Sequence, residues 1–573
     1  MTPNFDGRTV YEWFRRTTEA GADREFLHVP AEACRHYADS ALTLTYGQTA
    51  AQVALLAERF REAGYQPGHR VALALDNRPE FFIHFLALAR LGMSVVPLNA
   101  SMSPAELSYV IRHADIALAV THAGHAGHVR AALPDPIPLH VIADEARRTA
   151  VDGHQAADNG RMIDEQRPAA DVQEYSAPAV PPAGAANELA LLYTSGTTGL
   201  PKGCILSNEY FLEIGRLYVG LGGYCRFDGQ GDRLATPLPV THMNALAVSF
   251  MAMLMTGGCL IQLDRFHPST WWQSIRSSRA TAFHYLGVMP AMLLNAPATD
   301  QDDVSGAVRF AFGAGVDPRH QSAFEARFKV PLIEAWAMTE TGAGAWITAN
   351  HDPRHPGQRC FGRAPAGLAH RIADDEGVDV APGGVGELLV RREGAQPRRG
   401  FFSGYYKDPA ATDLAWRDGW FHTGDLVRTG ADGSFFFVDR SKNIVRRSGE
   451  NIAAVEVESA LQTHPDVAAT AVCPVADEIR GEEVFAFVVL RPGVSAAADT
   501  ALRLQVHCQQ TLAYYKVPGY IGFRADLPQT ASQKLARARI KALGAAAVES
   551  AEAFDLRHLK KRPRESRDQP QSS

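Results

Sequence analysis

The sequence predicts an α/β protein. A large N-terminal lobe is built from several subdomains with parallel sheets flanked by helices, and a smaller α+β domain follows. Two observations carry this. Residues 43–120 alternate amphipathic helical patterns with short apolar runs, and residues 443–541 form a separate strand-and-helix alternation after a composition change at Asp439. The length of 573 residues allows several cores, and 46% hydrophobic with 21% charged residues is ordinary for a folded, water-soluble chain.

In order, LTYGQTAAQVALLAERFREAGY has apolar residues at helical spacing and ends near Gly64. RVALAL follows as a buried strand, PEFFIHFLALARLG as a helix stopped by glycine, and SVVPLN as the next strand. SPAELSYVIRHA opens with Ser103-Pro104, a helix-start pair. Strands separated by helices imply βαβ units and parallel pairing. Residues 145–188 lack an apolar period and read as a surface connection into the strand ELALLYT. VAATAVCPV and EVFAFVVL supply strands to the small domain. We expect lobes at 1–439 and 440–545, and a frayed, disordered tail over 546–573, where RHLKKRPRESRDQPQSS is polar and charged.

Composition excludes several roles. With 57 Lys and Arg against 63 Asp and Glu, the net charge of −6 leaves no basic footprint for nucleic acid. The seven cysteines (34, 204, 225, 259, 360, 473 and 508) stand singly and read as small buried hydrophobes in a reducing, cytoplasmic setting. No apolar segment follows a basic start, so no signal peptide is expected. The uncharged stretch from Ala245 to Leu263 imitates a membrane span, but Gly257-Gly258 and the following CLIQL read as helix, turn and strand.

The most informative segment is LLYTSGTTGLPKG, residues 191–203. An apolar strand runs into three glycines, four hydroxyl side chains and Lys202. Glycines let backbone N–H groups approach an anion, hydroxyls add rotatable donors, and the ammonium supplies a compact charge. A phosphate cradle follows from this, although G-x-x-x-x-G-K-[ST] is absent, which weakens a nucleoside-triphosphatase reading.

This segment resembles the phosphate loop of the adenylate-forming enzymes, which include acyl-CoA synthetases, luciferases and adenylation domains. Thr194 to Gly203 matches its [ST]-S-G-[ST]-T-G-x-P-K-G pattern throughout. Further motifs recur in the family's order over about residues 40–540. Phe312-Gly313-Ala314-Gly315 resembles the loop lying against adenine and the acyl group, and Glu334-Ala335-Trp336-Ala337-Met338-Thr339-Glu340 resembles Y-G-x-T-E with Trp336 for tyrosine. Gly419 to Leu426 resembles G-W-[FL]-x-T-G-D, and Asp439-Arg440 the [GD]-R motif.

The resemblance implies residue roles. Thr194, Ser195, Gly196, Thr197, Thr198 and Gly199 would cradle phosphate, and Trp336 would stack on adenine. Thr339 would meet the α-phosphate, with Glu340 and Thr194 holding Mg²⁺. Asp425 would accept the ribose hydroxyls beside Arg440. His242 would stand at the acyl pocket, with Thr241 where an aromatic is usual, and strand residues His284 and Tyr285 would lie nearby. Lys442 would be the hinge, and Arg446 and Gly449 would face CoA. Lys534 would be the catalytic lysine, in a loop where Gln529 and Gln533 replace the family's lysine and glycine.

The implied reaction is ATP-dependent joining of a small carboxylic acid to CoA, with Mg²⁺, through an acyl-adenylate. A mobile small domain would remove Lys534 and admit CoA between the steps. The rival readings are adenylation for a carrier protein in trans and a non-catalytic nucleotide-binding relative. A homodimer is left open.

Overall fold

The computed structural model describes residues 8–142, 184–194, 201–229, 231–316, 318–374, 376–440, 444–528, 535 and 537–560. The sequence readings for the 145–183 connection, Ser195–Gly199, Lys442, Gln529, Gln533, Lys534 and residues 561–573 lie outside these.

The large lobe holds two mostly parallel sheets. In the seven-stranded one, Arg70–Ala74 lies between Ser94–Pro97 and Ile116–His122, with Leu139–Ile142 beyond. On the other side Ser94–Pro97 pairs in parallel with Glu188–Thr194, which turns back into the antiparallel strand Lys202–Ser207. The eight-stranded sheet pairs Ala282–Leu286, Phe310–Ala314 and Leu332–Trp336 in parallel at one end. Phenylalanines 14, 26, 81, 82, 85 and 250 pack together in the main core.

The helices form where expected, for local reasons. Thr45 and Gln48 cap Tyr46–Glu62 reciprocally, and Ser103 and Glu106 do the same for Pro104–His113, with proline in its first turn. The uncharged stretch resolves into a π-helical turn at Asn244–Ser249, the helix Phe250–Thr256, Gly257 at φ +69° and the strand Cys259–Gln262. Among the described residues no helix is long and apolar enough to cross a membrane. All seven cysteines are buried, and none forms a disulfide.

A five-stranded antiparallel sheet (Cys360–Gly362, Leu368–Ala373, Gly386–Arg392, Phe421–Thr429, Phe435–Arg440) closes the large lobe. The small lobe's own sheet begins at Ile444–Arg447, with Val467–Asp477, Gly481–Leu490 and Tyr520–Phe523 behind it.

Residues 546–560 depart from the frayed tail the sequence suggested. The helix Arg537–Glu549 continues through Ala545-Ala546-Ala547, all strong helix formers. Phe554–Asp555 then adds a strand on Tyr520-Ile521. The side chain of Lys560, polar in sequence, is completely buried, and its Nζ lies 2.5 Å from Glu483 Oε1 and 3.3 Å from the Tyr515 carbonyl. Glu483 also accepts from Arg447 Nε at 2.7 Å, so the guanidinium balances its charge, and burial lowers the Lys560 pKa to about 7.

Candidate active site

Thr194 and Lys202 are the last paired residues of the hairpin whose tip holds the glycine-rich segment. Thr194 Oγ1 lies 3.4 Å from Glu340 Oε1, and Tyr405 OH donates to the same oxygen at 3.0 Å. Lys202 Nζ sits 5.0 Å from the centre of the Tyr405 ring and 3.7 Å from Asp408 Oδ2. The fold thus gathers a cation, a hydroxyl and a nearly buried carboxylate (7% exposed) from segments up to 146 residues apart. Tyr405 and Asp408 belong to no motif, and no local pattern announces them. A carboxylate with a hydroxyl beside it, at the base of a phosphate-type loop, is a hard oxygen donor set that fits Mg²⁺.

Thr339 is fixed through its carbonyl, which accepts the Tyr210 hydroxyl at 2.7 Å. Glu334 organises the adjoining loop. It accepts Tyr285 OH at 2.5 Å, Gly315 N at 2.8 Å and Val316 N at 3.4 Å. Burial raises its pKa, and these donors and the charge of Arg446 offset that only in part. Gly313 is required here, since a Cβ would lie 2.2 Å from the Tyr285 carbonyl oxygen. Ala314 and Gly315 are exposed at the strand's end, and Ala335 pairs with Thr348.

Trp336 has a second task beside any stacking. Its indole N–H donates to Asp425 Oδ2 at 2.8 Å, and Asp425 is 1% exposed. Asp425 stands opposite Arg440 in the sheet register, so the two motif residues are neighbours through backbone pairing.

On the acyl side, His242 Nε2 lies 3.6 Å from Glu450 Oε2. Burial lowers the imidazole's pKa, but the neighbouring carboxylate outweighs it and leaves it raised. Gly449, at φ +88°, approaches so closely that a Cβ would sit 2.2 Å from Leu286 Cδ1. Arg446 donates its backbone N–H to Glu482 at 2.7 Å and lays its guanidinium 5.3 Å from the Phe437 ring centre. The small lobe therefore presents its 448–450 turn to this site.

His284 points away, into a buried network. Its Nδ1 lies 2.5 Å from Asn244 Oδ1 and 2.8 Å from Ser249 Oγ, and its Nε2 is 2.8 Å from Tyr218 OH. These partners suit a neutral ring with its proton on Nδ1. Burial lowers its pKa to about 3.

A further cluster, Asp76, His122 and His125, sits beyond the ends of neighbouring parallel strands, with Nε2–carboxylate distances of 3.0–3.2 Å. Gly124 N–H donates to His122 Nδ1 at 3.1 Å, which places that ring's proton on Nε2, facing Asp76. The carboxylate is desolvated, yet the two imidazoles hold its pKa far below the usual range. His122 therefore acts as a donor and offers no lone pair to a metal.

Similarity to known proteins accords with this geometry. The AMP-binding enzyme model matches residues 14–406, and the AMP-binding enzyme C-terminal domain matches residues 456–534. The chain belongs to the AMP-binding enzyme family, in its acyl-CoA ligase branch. A sulfoacetate–CoA ligase of Cupriavidus necator is 33% identical over 510 residues, 88% of this chain and 93% of the relative. A crotonobetaine/carnitine–CoA ligase of Shigella sonnei is 30% identical over 485 residues, 84% and 90% of the two chains. Among solved structures, an amide bond synthetase of Marinactinospora thermotolerans superposes with a TM-score of 0.74 at 25% identity, covering 93% of this chain and 99% of its own. A double mutant of o-succinylbenzoate CoA synthetase from Bacillus subtilis does so at 0.73 and 22%, covering 92% and 98%, which speaks to fold alone.

Proposed function

We propose that the protein is an ATP-dependent carboxylate–CoA ligase acting in two steps. A carboxylate oxygen attacks the α-phosphorus of ATP, forming an acyl-adenylate and breaking the bond to pyrophosphate. The CoA thiol then attacks the activated carbonyl, losing its proton, and AMP leaves. The observation that carries this reading is the convergence of Thr194, Lys202 and Glu340 at the base of one glycine-rich hairpin.

Lys202 holds positive charge where negative charge builds on phosphate oxygens, and fixed charge of this kind stabilises the transition state without reorganisation. Glu340 and Thr194 would hold Mg²⁺, which supplies a hard Lewis acid to those oxygens when bound. Asp425, held by Trp336, accepts the ribose hydroxyls and fixes the nucleotide's position. By resemblance, Lys534 serves the first step from the small lobe. The lobe boundary we propose lies at Asp439–Arg440, with Lys442 as pivot. Rotation about it exchanges the Lys534 segment for the 448–450 turn and opens the way for CoA.

For the acid we propose a short polar carboxylate. Tyr218, His284, Phe312 and Trp346 pack against one another behind strand Ala282–Leu286, leaving that side filled. Two relatives are named for small charged acids. The test is a panel of short, branched, aromatic and charged acids, scored for pyrophosphate, AMP and acyl-CoA. Pyrophosphate release that needs no acid, or acyl transfer only to a carrier protein, would overturn the reading.

A further inference from the structure

One buried ammonium joins the lobes. Lys516 follows the helix Ala498–Thr511 in the small lobe, and its Nζ lies 2.7 Å from Glu106 Oε1 and 2.7 Å from Glu456 Oε1. Side-chain exposures are 8%, 9% and 11% for Lys516, Glu106 and Glu456, so the three groups meet largely out of water, where burial raises the Glu456 pKa to about 7. Glu456 belongs to the small lobe, in the helix Ala454–Gln462, and travels with Lys516 in any rigid movement. Glu106 belongs to the large lobe, 410 residues away in sequence.

Glu106 is itself held in place. As the third residue of helix Pro104–His113 it accepts Ser103 N–H through Oε2 at 2.7 Å, leaving Oε1 for the ammonium. Beside it, Ser103 Oγ donates to the Thr511 carbonyl at 2.7 Å, a second bond across the same seam. One helix start in the large lobe thus makes two short polar contacts with the end of a small-lobe helix and the loop after it. Burial lowers the Lys516 pKa, but the two carboxylates outweigh that and leave the ammonium firmly charged. Buried charges of this kind are geometry-dependent: Lys516 has both acceptors in this relative placement of the lobes and would keep only Glu456 in another. The same placement sets Glu450 beside His242 and Gly449 against Leu286.

We infer that Glu106 and Lys516 form an interlobe latch that holds the small lobe with its 448–450 turn at the acyl site, making both positioning residues for the transfer to CoA and not for adenylation. This rests on the two-step reading above. Loss of the latch leaves every group around the phosphates in place and removes the preference for one docked orientation.

Three variants separate the roles. Glu106→Gln keeps an acceptor for Ser103 N–H and discards the charge. Lys516→Met keeps the stem and leaves two carboxylates facing each other. Glu456→Gln alters a contact within the small lobe. Single-turnover pyrophosphate release and acyl transfer from preformed adenylate to CoA are measured separately. Interlobe distances come from spin labels on cysteines introduced at Leu414 and Ile479, which are 61% and 54% exposed, while the native thiols are buried.

Glu106→Gln and Lys516→Met should slow transfer about tenfold or more while pyrophosphate release stays within about twofold, and Glu456→Gln should leave both within about twofold. The interlobe distance distribution should broaden in the first two variants only. Transfer unchanged in both, adenylation falling equally, or an unaltered distribution would overturn the latch. If the unmodified protein forms no acyl-CoA from any acid tested, the two-step reading fails, while the distance measurement still decides whether the lobes are latched.

Discussion

Replacing Trp336 by phenylalanine isolates one hydrogen bond at the nucleotide site. Phenylalanine keeps an aromatic face and a ring near Phe361, which Trp336 meets at 6.1 Å between centroids, but it has no indole N–H. Asp425, 1% exposed with the indole in place, then loses a donor at 2.8 Å. A hydrogen bond to a charged group contributes about 1.5–3 kcal/mol. If that energy orients the ribose acceptor, KM for ATP rises about 10- to 150-fold, with a smaller fall in the turnover of saturated enzyme. The assay is pyrophosphate release at saturating acid, run with ATP and with dideoxy-ATP, which lacks both ribose hydroxyls. Dideoxy-ATP cannot use Asp425 and should lose less than about threefold on the same substitution. Equal losses for the two nucleotides would refute the reasoning and leave Trp336 a stacking platform only.

Other outcomes follow from the same geometry. Glu340→Gln preserves shape but removes the carboxylate charge beside Thr194 and Lys202, and should lower adenylation by about a hundredfold with folding intact, checked by pyrophosphate release and circular dichroism. Truncation after Glu549 removes the Phe554–Asp555 strand and takes Leu556 out of the small lobe's core, which should cost about 2–5 kcal/mol, read as an earlier unfolding transition in calorimetry. His284 is held neutral with a folded pKa of about 3 against 6.5 unfolded, so the unfolded chain binds the extra proton between those values and stability falls as pH drops through that window. The slope from this one group should approach about 1.4 kcal/mol per pH unit, and His284→Gln should flatten denaturant-measured stability there.

The sequence made the local structure legible because local causes produce it. Ser103-Pro104 announces a helix, and the alternation over 43–120 announces parallel pairing, through capping and periodicity that act within a few residues. The phosphate hairpin was readable to Thr194, while the return strand from Lys202 carries no comparable signal. The order of residues 546–560 has no local signal, because burial of a lysine side chain depends on a distant partner: nothing near Lys560 names Glu483.

Glu106 marks the boundary between the two kinds of information. Its Oε2 serves the capping box that any reader of S-P-A-E would infer, whereas its Oε1 serves Lys516, 410 residues away. Trp336 and Asp425 show the same division, each recognisable by motif, with their 2.8 Å contact fixed only by the meeting of a parallel sheet and an antiparallel one. The capping bond pins the carboxylate whether or not the lobes are docked, so the latch meets a preorganised acceptor and pays little side-chain entropy on closing. A residue whose first duty is local can thereby bias a movement of the whole small lobe, and that second duty becomes visible only when both lobes are folded and placed together.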